Sequence, residues 1–106
     1  MAYSEIQDID GEYSLTFACG ELPADAAIAD AGHEPNGYFW EGIAEFVGGD
    51  LFEQLEMDSE AGMFCARGEK DDLVALQSLL EPLLANGDAV RDVIRRAEGA
   101  GFVFDD

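Results

Sequence analysis

The residues of this chain that could carry chemistry are its carboxylates, one histidine and two cysteines. Asp and Glu together number 24, but acid–base catalysis needs two carboxyls in environments that drive their pKa values apart. No stretch of sequence marks such a pair. The histidine, His33, stands beside Glu34, yet the chain contains no G-x-S-x-G nucleophile signature. We therefore interpret His33 as structural and predict no catalytic residues and no enzyme activity.

Metal and redox sites are equally poorly supported by the sequence. Asp8, Asp10 and Glu12 alternate as in a calcium loop, but the glycine and the distal glutamate of such a loop are out of register. Cys19 and Cys65, with one histidine, give no metal-ligand spacing. We interpret both as buried free thiols on strands; a disulfide is the alternative if the two strands are neighbours. The sequence predicts neither a metal nor a cofactor.

Net charge is the strongest global signal. Against 24 acidic residues stand 5 Lys and Arg, which gives a formal charge of −19. Such a surface repels nucleic acid and anionic membranes and accelerates encounter with a basic protein. A high-salt habitat is the alternative explanation, and the single lysine, Lys70, fits it as well. The chain shows neither a long apolar run nor a signal-peptide pattern, so we expect a cytoplasmic protein.

The first half of the chain predicts one strand and one helix. Residues 12–19 alternate between apolar and polar side chains, which is typical of a half-buried strand. A connection follows, with at most a short element at residues 26–31. After Pro35 the apolar spacing becomes helical, with Asn36 as the N-cap and Gly48 near the end.

The second half predicts a hairpin and two helices. Residues 53–57 and 62–67 should pair across a turn at 58–61. Asp71 is then expected to cap a helix that Pro82 kinks and Gly87 ends, and a further helix should span residues 88–98. The tail, with Phe102 and Phe104, could add an edge strand. This order predicts one α+β domain over residues 1–106, with two layers: a mostly antiparallel sheet and about three helices on one face.

Two segments make the chain recognisable. GHEPNGYFWEGIAEFV and LFEQLEMDSEAGMFCARG resemble the Immunity protein 51 family of bacterial polymorphic toxin systems. The resemblance rests on an NGY-aromatic-W-E-G/A core at residues 36–42, a D-x-E-A-x-M-F segment at residues 58–64, and a Leu-rich helix from near Asp71. These blocks run in that order between residues 33 and 86.

The resemblance implies an immunity protein that binds a cognate toxin domain and blocks its active site or its productive conformation. The partner would be the product of the adjacent gene, and the charge favours a basic toxin such as a nuclease. Nucleic acid and membrane are not expected as partners, and the protein should be a monomer or weak dimer. The alternative is a general acidic interaction module, or a nucleic-acid mimic, that inhibits basic proteins.

Candidate contact residues lie at the start of the first long helix and in the hairpin turn. The partner-binding candidates are Glu34, Asn36, Tyr38, Glu41, Glu45, Asp58 and Glu60. An exposed aromatic with an acidic rim is the composition expected of an interface. A solvated face with a capping loop is the alternative for the same residues. The candidate structural core is Phe39, Trp40, Ile43 and Phe64.

Overall fold

A computed structural model describes residues 3–104. In chain order the elements are β1 (Glu5–Ile9), β2 (Glu12–Ala18), α1 (Asp25–Asp30), α2 (Gly37–Gly48), a 3₁₀ helix (Gly49–Gln54), β3 (Glu56–Met57), β4 (Met63–Gly68), α3 (Lys70–Ala85) and α4 (Gly87–Gly99). The four strands form one antiparallel sheet in the order β1-β2-β4-β3. The predicted α+β class is confirmed, with four α-helices rather than three. Within residues 3–104, no helix has both the length and the apolar character needed to cross a membrane.

The first hairpin was not predicted, although its turn has a clear signature. β1 pairs with β2 through a two-residue loop, in which Asp10 and Gly11 have φ values of 54° and 84°. Positive φ at both positions is the geometry that Asp-Gly favours in hairpins. The Asp8 carboxylate accepts a hydrogen bond from the Gly11 N–H at 3.0 Å. The alternating acids at the N-terminus therefore belong to a hairpin turn.

One face of the sheet packs against the helices. Leu15 and Phe17 on β2 lie opposite Ala66 and Phe64 on β4, and all four side chains belong to the core. The Phe17 ring stacks on Phe64 with centroids 4.8 Å apart, and Trp40 from α2 meets Phe17 edge-on at 5.5 Å. Strand alternation thus supplies the sheet side of the core, and helical periodicity supplies the larger, helical side.

Both ends of α3 and the start of α4 differ from the prediction. Glu69 precedes α3 without a side-chain cap, and Asp71 lies in the first turn, where its charge still complements the helix dipole. Asn86, in an extended conformation, both ends α3 and caps α4 by accepting from the N–H groups of Asp88 and Ala89. Gly87 is therefore the first residue of α4 and not a terminator. The helix α3 continues through Pro82.

The predicted strands at residues 53–57 and in the tail are also wrong in part. Only Glu56–Met57 forms β3, because the 3₁₀ helix occupies the chain up to Gln54. Residues 101–104 form no strand: the Phe102 N–H returns to the Ala97 carbonyl at 2.9 Å, which directs the chain over α2. There the Phe104 ring packs on Phe39 at 4.9 Å. The last two residues of the predicted tail strand lie outside the described part of the chain.

The start of β1 is tied to α3 by a polar cluster. The Glu81 carboxylate accepts hydrogen bonds from the N–H groups of Tyr3 and Ser4 and from the Ser4 hydroxyl. Gln77 donates to the Ser4 carbonyl and hydroxyl. Burial acts to raise the pKa of Glu81, but the hydrogen bonds outweigh it and hold that pKa below its ordinary value.

Candidate partner-binding surface

The start of α2 is fixed by Asn36. Its side-chain oxygen accepts from the Phe39 N–H at 2.8 Å, while its backbone is extended with φ at −123°. This is the N-cap geometry that the sequence predicts. The Asn36 oxygen therefore already has a partner within the chain.

A close backbone contact joins α2 to the β3–β4 turn. The Gly37 N–H donates to the Ala61 carbonyl at 3.1 Å. A β-carbon on Gly37 would lie 2.1 Å from the Glu60 carbonyl oxygen and 2.6 Å from that of Met63, so no other residue fits without a shift of the turn. One turn further along α2, the Glu41 carboxylate accepts from the Ser59 N–H at 3.1 Å.

The two predicted contact regions therefore form one surface. We call it the α2–turn surface, and its residues are Glu34, Asn36, Tyr38, Glu41, Glu45, Asp58 and Glu60. Most of these side chains are exposed, and the exposed fraction of Tyr38 is 44%. Asn36 and Glu41 are half-buried and hydrogen-bonded to backbone N–H groups. The four candidate core residues, Phe39, Trp40, Ile43 and Phe64, are fully shielded from solvent.

Three further residues that the sequence did not indicate extend this surface. Phe52, Phe102 and Val103 line a depression of about 170 Å³ together with Tyr38 and Glu45. Val103 is 85% exposed. The available signal was the run of three apolar residues at 102–104, since an extended run of this kind cannot bury all its members on one side. The surface thus has an apolar part beside its carboxylates.

An exposed ion pair and a hydrogen bond link the turn to β4, which also carries a buried thiol. Arg67 donates to the Asp58 carboxylate at 2.7 Å, and both side chains are 57% exposed. The Ser59 hydroxyl accepts from the Cys65 N–H at 3.0 Å. Burial raises the pKa of the Cys65 thiol, partly offset by the Arg67 charge, so the thiol stays protonated at neutral pH.

His33 contacts a carboxylate and two aromatic rings, and Cys19 is a thiol with a raised pKa. The His33 Nε2 lies 3.0 Å from a carboxylate oxygen of Glu98, and its ring packs against Phe39 and Phe104. Burial raises the pKa of Cys19 to about 11, and the nearby Asp25 charge adds to this effect. Both are free thiols, but the prediction of buried thiols on strands holds only for Cys65, which lies on β4 and points to the other face of the sheet; Cys19 follows β2, is half-buried and packs toward the core. Across residues 3–104, no three His, Cys, Asp or Glu side chains cluster as metal ligands would.

No family model matches this chain, and no curated protein or solved structure matches it either. The resemblance to the Immunity protein 51 family therefore stays a prediction.

The segments that carry this resemblance are the two that meet in the structure. Within residues 36–42, Asn36 caps the helix, and Gly37 allows the backbone of the β3–β4 turn to approach closely. Glu41 accepts a hydrogen bond from the Ser59 N–H. A β-carbon on Gly42 would lie 2.8 Å from the Phe104 ring. Tyr38 is the member of this motif with the largest exposed side chain.

Proposed function

We propose that this protein neutralises a cognate bacterial toxin domain by direct contact through the α2–turn surface, without catalysing a reaction. The observation that carries the proposal is the joining of two motif segments into one exposed surface that combines Tyr38 and Val103 with several carboxylates. Aromatic anchors with a polar rim dominate the energetics of protein interfaces. The toxin would be basic, encoded by the adjacent gene, and met in the cytoplasm.

The charge of the protein supports a basic partner. A formal charge of −19 on 106 residues creates a long-range field that accelerates encounter with a cationic protein. An immunity protein gains from fast association, because it must bind its toxin before the toxin reaches its target. The field alone gives little specificity, which must come from the shaped contact at Tyr38 and its neighbours.

The test begins with the adjacent gene. Its product, expressed alone, should arrest growth, and co-expression of this protein should restore growth and yield a one-to-one complex. Tyr38→Ala should weaken the complex by about tenfold, whereas Leu79→Ala, a similarly exposed apolar side chain on α3, should not. A product that is neither toxic nor bound would remove the proposal.

Charge variants complete this test. Glu45→Lys is preferable to a change at Glu41, because the Glu41 carboxylate holds the Ser59 N–H and its loss would disturb the turn. Asp92→Lys on α4 changes the net charge equally and serves as the control, although it also breaks an exposed pair with Arg96. We expect Glu45→Lys to weaken binding and Asp92→Lys to leave it within about threefold. Equal effects would mean that net charge, and not this surface, controls binding.

The alternative function, a general acidic module that inhibits basic proteins, is favoured by the charge alone. It predicts binding to many basic proteins and loss of that binding at high salt, because screening would remove nearly all the affinity. A salt series separates the two functions. An anchored, shape-matched complex should keep most of its affinity at about 0.5 M salt.

A further inference from the structure

No helix within residues 3–104 packs on the outer face of the sheet. Because Leu15, Phe17, Phe64 and Ala66 point inward, the alternating residues of the same strands point away from the core. We call the outward-facing residues of β1, β2 and β4 the open sheet face. Its apolar members include Ile9, which is 62% exposed, and Met63, which is 38% exposed.

The open sheet face combines apolar and polar side chains in its interior with acids at its margin. Ser14 and Thr16 of β2 lie half-buried at its centre. Five carboxylates surround it: Glu5, Glu12, Glu56, Asp58 and Glu60. The guanidinium on this face, that of Arg67, is held by Asp58. The face therefore has a strong negative balance.

Charge decides between the two kinds of protein that could cover this face. A second copy of the chain, related by a two-fold axis, would bring the same acidic margin against itself, and like charges across an interface oppose association. A cationic surface would instead pair with these carboxylates. Exposed Ile9 and Met63 would supply the apolar contact that charges alone cannot.

We infer that the open sheet face binds a cationic, partly apolar segment of a protein partner. This inference rests on the proposed function in one respect, since it identifies that partner with the toxin and names a second face that the toxin would contact.

Two adjoining depressions suit basic side chains. One, of about 350 Å³, lies along the face and includes Gln7, Ile9 and Thr16. The other, of about 430 Å³, lies at the ends of the strands and is bordered by Glu12, Glu56 and Glu69. A lysine or arginine entering the second depression would approach these carboxylates with its charge. It would share the depression with Arg67 and lie near the Lys70 ammonium, which is 6.0 Å from the Tyr13 ring centroid.

The open sheet face is small, and it adjoins the α2–turn surface, so the two fit within one interface. Three strands about 4.8 Å apart and up to seven residues long cover at most about 340 Å². A stable protein complex buries about 800 Å² on each partner. The open sheet face is therefore too small alone, and Asp58 and Glu60 connect it to the α2–turn surface. A single partner would span both.

The test uses two probes: an 18-residue amphipathic peptide of lysine and leucine, and the product of the adjacent gene. Amide chemical shifts of the whole protein are followed during titration with the peptide. We expect the largest changes on β1, β2 and β4. Ile9→Lys and Thr16→Lys should weaken peptide binding by about tenfold, whereas Val74→Lys on α3, also exposed and apolar, should change it by less than about threefold.

A change of opposite sign gives a second readout. Arg67→Gln removes a positive charge from the open sheet face and frees Asp58, so it should tighten binding by about threefold. Arg95, which is exposed on α4, offers the control: Arg95→Gln changes the net charge equally and should leave binding nearly unchanged. Weaker binding by Arg67→Gln would contradict the inference. Peptide-induced shift changes that centre on α3 or α4, or that spread evenly over the surface, would also contradict it. The same holds if neither probe shows saturable binding.

The second probe separates this inference from the proposed function. If the adjacent gene product binds and is weakened by Tyr38→Ala but not by Ile9→Lys or Thr16→Lys, the function stands and the sheet-face inference falls. If that product does not bind while the peptide docks on the open sheet face, the proposed function falls and the cationic docking face stands. Circular dichroism of each variant verifies that it is folded before binding is compared.

Discussion

Replacing Gly37 with alanine tests the contact between α2 and the β3–β4 turn. The added β-carbon would lie 2.1 Å from the Glu60 carbonyl oxygen and 2.6 Å from that of Met63. A carbon–oxygen contact normally lies at about 3.3 Å, so the helix and the turn would have to separate by about 1 Å. Both neighbours are backbone atoms, and therefore no side-chain rotation relieves the overlap.

The cost of this separation can be worked out from the contacts it disturbs. Overpacking of this kind costs about 1–3 kcal/mol, and weakening the hydrogen bond from Ser59 to the Glu41 carboxylate adds about 1 kcal/mol. The better helix propensity of alanine returns at most about 1 kcal/mol. We expect Gly37→Ala to lower the free energy of unfolding by about 2 kcal/mol and Tm by about 10 °C.

Urea titration followed by the fluorescence of the buried Trp40 measures this change. Gly62→Ala is the matched control, because Gly62 lies in the same turn and its β-carbon would have no neighbour within 4 Å. The control should stay within about 0.5 kcal/mol of the wild type. If Gly37→Ala is no less stable than Gly62→Ala, the close contact does not restrict this position and the joined surface loses its support.

Three other predictions follow from individual side chains. Because hydrogen bonds lower the pKa of Glu81 from 4.5, its stabilising effect is present above that value and is lost as pH falls through the folded-state pKa. Glu81→Gln should lower the free energy of unfolding by about 1 kcal/mol at neutral pH and make that free energy fall less steeply as the pH is lowered. An unchanged slope of unfolding free energy against pH would contradict this. Asn36→Ala should cost about 1 kcal/mol while Asn36→Asp, which keeps an acceptor, should not, and equal losses would exclude capping. Because burial raises the pKa of Cys19 to about 11, its thiol should react with iodoacetamide at pH 8 about 100-fold more slowly in the folded than in the unfolded protein. Mass spectrometry measures both rates, and equal rates would contradict the burial of this thiol.

The elements predicted correctly are those whose signals are local. Asn36 followed by a helical apolar pattern predicts the start of α2, and the alternation around Leu15 and Phe17 predicts β2. The strand β1 lacks such a pattern, because Ile6 pairs on the inward side and Ile9 points outward. Its turn could still have been predicted from the Asp-Gly pair alone.

Contacts between distant segments could not be predicted in the same way. The pairs Ser4–Glu81, His33–Glu98 and Glu41–Ser59 each join residues that are distant in sequence, with separations of 77, 65 and 18 residues. An acidic residue that accepts such a bond has no local pattern that distinguishes it from the many exposed carboxylates of this chain. The joining of the α2 start with the turn, on which the candidate surface depends, is therefore a property of the fold.

The structural uses of the motif bear on where specificity for a partner would lie. Asn36, Gly37, Glu41 and Gly42 each serve a contact inside the chain, and substitution at any of them would disturb the fold before it changed a partner contact. These four residues of the motif therefore bear on the fold of this chain more directly than on the choice of a partner. Residues beside it are free of that constraint: Val103 is 85% exposed and Ile9 is 62% exposed. Under the proposed function, proteins that keep the motif but bind different toxins should therefore differ most on the apolar margin near Val103 and on the open sheet face.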